Sequence, residues 1–195
     1  KLILVYLRLR RAEDSKMYSS KELTVLEVTT SRLSTEEEDI GSSSISAENM
    51  FVSFHGLLHD EISEKDIVSC EMVFSGRTGI KFYVTCPNEV ARFVESQLYA
   101  HHPNLTVKTV LDYTPSIPDD DKNVQVVEAS LNKEYFFPIK THRDFEVDPI
   151  SSFTSALSNL DTDEEFWFQV VTKPIPDTWQ ETGTSYVTAI KEGQS

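Results

Sequence analysis

Apolar and polar residues alternate with period two in two neighbouring runs near the middle of the chain. Val68, Cys70, Met72 and Phe74 fall on one side with Ser69 and Glu71 on the other, and then Ile80, Phe82 and Val84 alternate with Lys81, Tyr83 and Thr85. This pattern predicts two half-buried strands. Between them, Ser75, Gly76, Arg77, Thr78 and Gly79 supply turn residues that tolerate positive φ, which makes the pair an antiparallel hairpin. Pro87 fits the first position of a following helix, with Glu89 near its positive dipole end. Val90, Phe93, Val94 and Leu98 then fall on one helical stripe that can cover a sheet face, and His101 and His102 close the helix.

The flanking residues extend this unit. Residues 24–29 read as a strand with Leu26 and Val28 on one face, and residues 31–46 as an acidic, serine-rich loop. Ser46 is a suitable N-cap for a helix ending near Asp60, whose stripe is Met50, Phe51, Phe54, Leu57 and Leu58. Residues 105–111 form a closing strand. The order strand, helix, strand, strand, helix, strand is the ferredoxin-like arrangement, a four-stranded antiparallel sheet with both helices on one face.

Pro115, Pro118 and the aspartates at 119–121 mark a boundary. Beyond it come a strand at 124–131 and an extended piece at 135–139, which Pro138 relegates to an edge. A helix capped by Asp148 and Pro149 follows, with the stripe Ile150, Phe153, Leu157 and Leu160, then a strand at 166–172 and a short helix within 179–192. The chain thus reads as an α+β protein: a basic flank and linker over 1–21, a ferredoxin-like unit over 22–114, an acidic linker over 115–123, and a second, truncated ferredoxin-like unit over 124–195.

Composition changes this picture mainly through charge. At 39% hydrophobic and 26% charged residues the chain is ordinary for a globular protein, but its net charge is −14. Such a surface repels phosphate backbones and anionic membranes, so direct nucleic-acid binding is not expected. The one basic patch is Arg8, Arg10 and Arg11, after the apolar residues 2–7. That run is far short of the roughly 20 residues a membrane helix needs. It suits two readings equally: the end of a membrane helix with its cytoplasmic basic flank, or the first strand or helix of a soluble domain. Cys70 and Cys86 make no disulfide framework and read as reduced, buried hydrophobes.

Few residues suggest chemistry. His55 and His59 lie one helical turn apart, but Gly56 stands where the zinc-protease pattern requires glutamate, so ordinary surface histidines outweigh a metal site. The acidic runs 119–121 and 161–165 lack the spacing of a calcium loop. No GxSxG elbow and no phosphate-binding GK[ST] loop occurs, so neither catalytic residues nor a cofactor is expected in this segment. The alternative is a ferredoxin-like sensor binding a metal or small molecule near His55 and His59.

Several stretches carry a resemblance: TVLEV at 24–28, SAENMFVSFHGLL at 46–58, VARFVESQLYAHHPN at 90–104, and the run from Phe136 to Pro174 that contains FEVDPISSF and FWFQVVTKP. Asp177, Trp179, Gln180 and Glu181 match a further DWQE-like tail. Together they resemble the region after the membrane helix in membrane-anchored ATPases of the type IV secretion and conjugative DNA-transfer kind, in the form found in ultra-small, small-genome bacteria. The resemblance covers nearly the whole chain, mostly through packing residues. It implies an upstream membrane segment with Arg8, Arg10 and Arg11 on its cytoplasmic flank, a motor domain downstream, and a non-catalytic module at the cytoplasmic face of the membrane. Protein partners or self-association within a membrane complex follow from the same resemblance.

Overall fold

The computed structural model describes residues 2–8, 23–30, 40–58, 67–114, 124–146, 149–157 and 160–193. Its strands are β1 (Leu2–Arg8), β2 (Leu23–Thr30), β3 (Val68–Ser75), β4 (Gly79–Pro87), β5 (Leu105–Val110), β6 (Val124–Ala129) and β7 (Glu165–Thr172). Its α-helices are α1 (Ile40–Phe54), α2 (Ala91–His101), α3 (Pro149–Leu157) and α4 (Thr178–Lys191). The fold is α+β, and all seven strands join one sheet in the order β5-β2-β4-β3-β7-β1-β6.

The first four strands of that order, with α1 and α2, form the expected ferredoxin-like unit, and every neighbouring pair within it is antiparallel. Its core lies on one sheet face, where Leu26, Val68, Val84, Cys86 and Val107 meet Met50, Phe54 and Leu57 of α1 and its 3₁₀ extension and Val94 and Leu98 of α2. The remaining described strands join the first unit edge to edge. β7 pairs antiparallel with β3, and on its other side parallel with β1, which in turn pairs parallel with β6. β1 therefore fills the gap between the two strands that α3 connects. On the same face as the first core, Met72 and Phe166 pack with Leu157 of α3.

Several local expectations shift. The apolar run 2–7 is a strand paired along both edges, so these residues take the soluble-strand reading and not the end of a membrane helix. Among the described residues no helix is long and apolar enough to cross a membrane. α1 begins at Ile40, inside the stretch read as a loop, because serines cost a helix only tenths of a kcal/mol each and its far end is anchored by Met50 and Phe54. Pro87 ends β4 instead of opening α2, which starts at Ala91 after a turn closed by Val90 N–H donating to Pro87 O at 3.1 Å. Residues 135–139 form a turn and not a strand, with Phe136 and Phe137 packed on Tyr186 of α4 at ring distances of 5.2 and 5.3 Å. Ile150 is exposed, whereas Leu157 of α3 and Leu160 beyond its end pack into the second core; the side chain of Phe153 lies outside what the structure describes. Asp148 lies outside the described residues.

The hairpin glycines divide the work expected of both. Only Gly79 has positive φ, at 76°. Gly76 is needed for space: a Cβ there would lie 2.5 Å from Asp161 O and 2.7 Å from Thr162 Cα, where the hairpin tip sits on the turn before β7. Because those atoms are backbone and cannot swing away, Gly76→Ala is expected to cost about 1–3 kcal/mol in urea unfolding. Gly56→Ala, whose new Cβ would meet only the end of the Phe93 ring at 3.8 Å, should leave the midpoint within about 0.5 kcal/mol of wild type.

Candidate functional site

The sheet face opposite the helices carries the polar side of the alternation, yet its centre is buried. Strand register places Lys108, Glu27, Tyr83, Glu71 and Gln169 side by side across β5, β2, β4, β3 and β7. Glu71 is only 6% exposed. Its Oε2 accepts hydrogen bonds from Thr85 Oγ1 at 3.1 Å and from the Tyr113 hydroxyl, and its Oε1 accepts from Gln169 Nε2 at 3.2 Å. Three neutral donors thus satisfy a carboxyl group withdrawn from water, which burial requires. Tyr113, from the segment after β5, folds across this face and stacks on Tyr83 at 4.6 Å, with Trp167 edge-on at 4.9 Å. The cluster therefore ties β3 and β4 of the first unit to β7 of the second.

Burial, and then the neighbouring Glu71 charge, push the Tyr113 hydroxyl well above the ordinary tyrosine range, so it remains a donor. Burial also pushes the Cys86 thiol up to about 12, and burial together with Glu71 does the same for Cys70. Each of these groups holds its proton more tightly in the folded chain than in the unfolded one. The stability they add is therefore complete below the unfolded values, near 9 for the thiols and 10 for the phenol, and is lost as pH rises above them. Tyr113→Phe keeps the ring contacts and removes the donor, so it is expected to cost about 1–3 kcal/mol at neutral pH. Urea midpoints should show the gap to wild type narrowing above about pH 10, where the wild-type phenol begins to lose its advantage.

A second feature lies away from the cluster. A groove of about 1290 Å³ opens between α1, residues 139–143 and the start of α4. Val52 and Ile139 are 67% and 63% exposed in it, with Phe51 beside them, and its rim carries Glu48 and Asp177 together with Lys140 and Arg143. His55 also lines it: its Nε2 lies 3.2 Å from Ile175 O and 3.9 Å from Asp177 Oδ1, joining the end of α1 to the segment that leads into α4.

The residues singled out in the sequence therefore do not converge. His55 is in the groove, whereas His59, Arg10 and Arg11 lie outside the described residues, and Arg8 ends β1 opposite Val171. Among the described residues no three histidine, cysteine, aspartate or glutamate side chains come together to hold a metal ion. The Glu71 cluster escaped sequence reading because alternation places Glu71 correctly on the second face but cannot report that Tyr113, 42 positions away, covers it.

No curated protein and no solved structure matches the chain. A family described as a domain of unknown function, DUF8128, matches residues 11–192. Because that match covers most of the chain, with every described strand except β1 and every described helix, the chain belongs to the DUF8128 family.

Proposed function

We propose that the chain is a non-catalytic docking module of a membrane-anchored secretion or DNA-translocation ATPase, acting at the cytoplasmic face of the membrane with the motor domain downstream of this segment in the full-length protein. The observation that carries this reading is the groove. Phe51, Val52 and Ile139 present apolar surface to water inside a rim of mixed charge, and contiguous apolar surface of this kind marks interaction sites. The groove is open to solvent, whereas small-molecule sites enclose most of their ligand, and an open apolar groove suits a polypeptide surface. The resemblance to secretion and DNA-transfer ATPases supplies the machine; the charge of −14 supplies the reason to expect protein partners over nucleic acid.

The test places a photo-crosslinking residue at Val52, at Ile139 and, as a control, at Lys108 on the distant β5 edge, in cells making the full-length protein. The same discrete protein adduct at the first two sites, absent at the third, is expected. ATP turnover by the purified chain, or DNA binding that falls steeply with salt, would overturn the proposal.

A further inference from the structure

The wall that α1 gives to the groove is regular. Ser44, Glu48, Phe51 and Val52 recur at i, i+4, i+7 and i+8, and His55 of the 3₁₀ extension continues the row. At the rise of an α-helix this row is about 16 Å long, the length of roughly three helical turns. α1 spends its backbone groups on its own hydrogen bonds, so an extended chain finds no ladder to join along this wall, whereas a helix brings its own. Charge is divided between the walls. Among the described residues the acids of the groove are Glu48 on α1 and Asp177 before α4, and its bases are Lys140 and Arg143 on the 139–143 segment.

We infer that the groove receives an amphipathic helix of another protein, about three turns long, with bases along one flank of its apolar stripe and acids along the other. This occupant rests on the docking role proposed above. Phe51, Val52 and Ile139 take the stripe, Glu48 meets the basic flank, and Lys140 and Arg143 meet the acidic one. Reversing the direction of the bound helix exchanges its flanks, so a mixed helix can satisfy both walls, whereas one sign on both flanks meets a like charge in either direction. A second copy of this chain does not supply such a helix from its described residues. α1, α2 and α3 turn apolar residues into the two cores, α4 seats Tyr186 on Phe136 and Phe137, and none of the four carries more than one lysine or arginine.

The probes are three labelled peptides of about 18 residues with the same leucine stripe at helical spacing: lysine on one flank and glutamate on the other, lysine on both, or glutamate on both. Fluorescence anisotropy with the intact chain should show the mixed peptide binding at least roughly fivefold more tightly than either of the others, and its circular dichroism should gain helix on binding. The all-lysine peptide is the stringent control, because the −14 of the chain favours it everywhere except at Lys140 and Arg143. Lys140→Glu with Arg143→Glu, at exposed positions that leave the urea midpoint unchanged, should transfer the preference to the all-lysine peptide, and Val52→Glu should weaken the mixed peptide by roughly tenfold. Tightest binding of the all-lysine peptide to the wild-type chain, binding without a gain of helix, or light scattering that shows a dimer dispersed by Val52→Glu would each overturn the proposal. No binding of any peptide, with the crosslinked adduct at Val52 and Ile139 retained, would overturn the helical occupant and leave the docking role standing.

Discussion

A chain lacking residues 1–8 is expected to keep its ferredoxin-like half and lose the organisation of the other. β1 lies between β7 and β6, with Leu2 opposite both Val124 and Glu165 and the register continuing to Leu7 on both sides. β6 reaches the sheet only through β1, so without it β6 has no partner strand among the described residues. The two parallel ladders together hold on the order of a dozen backbone hydrogen bonds, each contributing about 1 kcal/mol net, which is comparable with the whole stability of a domain, about 5–15 kcal/mol. Hydrogen exchange should show amides 124–129 unprotected while those of β2 to β5 remain slow, because the described core of the first unit is built from β2 to β5, α1 with its 3₁₀ extension, and α2. Persistent protection of β6 in the truncated chain would show that another segment holds it.

Trp167→Ala should be the most damaging single substitution, at about 3–5 kcal/mol. Trp167 is 2% exposed and is the largest fully buried side chain. It is paired with Val73 of β3 on one side and with Leu4 of β1 on the other, so it sits where the two units join. Its ring meets Tyr113 edge-on at 4.9 Å, and its Nε1 donates to Glu165 Oε2 at 3.1 Å. Alanine would leave a cavity beneath Tyr113 and loosen the phenol that donates to Glu71. The loss should therefore be non-additive with Tyr113→Phe: in a double-mutant cycle, removing the hydroxyl should cost less once the tryptophan is gone. Equal costs of Tyr113→Phe in the two backgrounds would mean that the aromatic contact and the Glu71 hydrogen bond are independent. Calorimetry or urea midpoints on the four chains measure this directly.

Much of the ferredoxin-like half was legible in the sequence because its signals are local. The alternation in β3 and β4, the α2 stripe through Val94 and Leu98, and the stripe through Met50, Phe54 and Leu57 each repeat at the period of the element that forms. Boundaries were less legible where local propensity and tertiary anchoring disagree, as at the serine-rich start of α1 and at Pro87. Of the candidate sites, His55 was named for its spacing to His59 and lies in the groove, yet its ring faces the Ile175 carbonyl and Asp177, more than 100 positions away. No local pattern announces such a partner. The groove was equally hidden, since Val52 and Ile139 gain meaning only when α1 and the 139–143 segment come together.

By itself the sequence determined the order of the elements in the first unit and, apart from Phe51, which is exposed in the groove, most of the inward faces of its helices, because hydrophobic periodicity acts over neighbouring residues and the elements follow one another without interruption. Only the tertiary structure decided the rest. It decided that residues 2–8 are a strand inside the sheet, that Gly76 serves close approach to residues 161 and 162, and that Glu71 is buried under Tyr113 beside Gln169. The physical reason is shared. Each depends on segments distant in the chain meeting across a sheet, and burial and hydrogen-bond satisfaction are properties of that meeting, not of the residues taken singly.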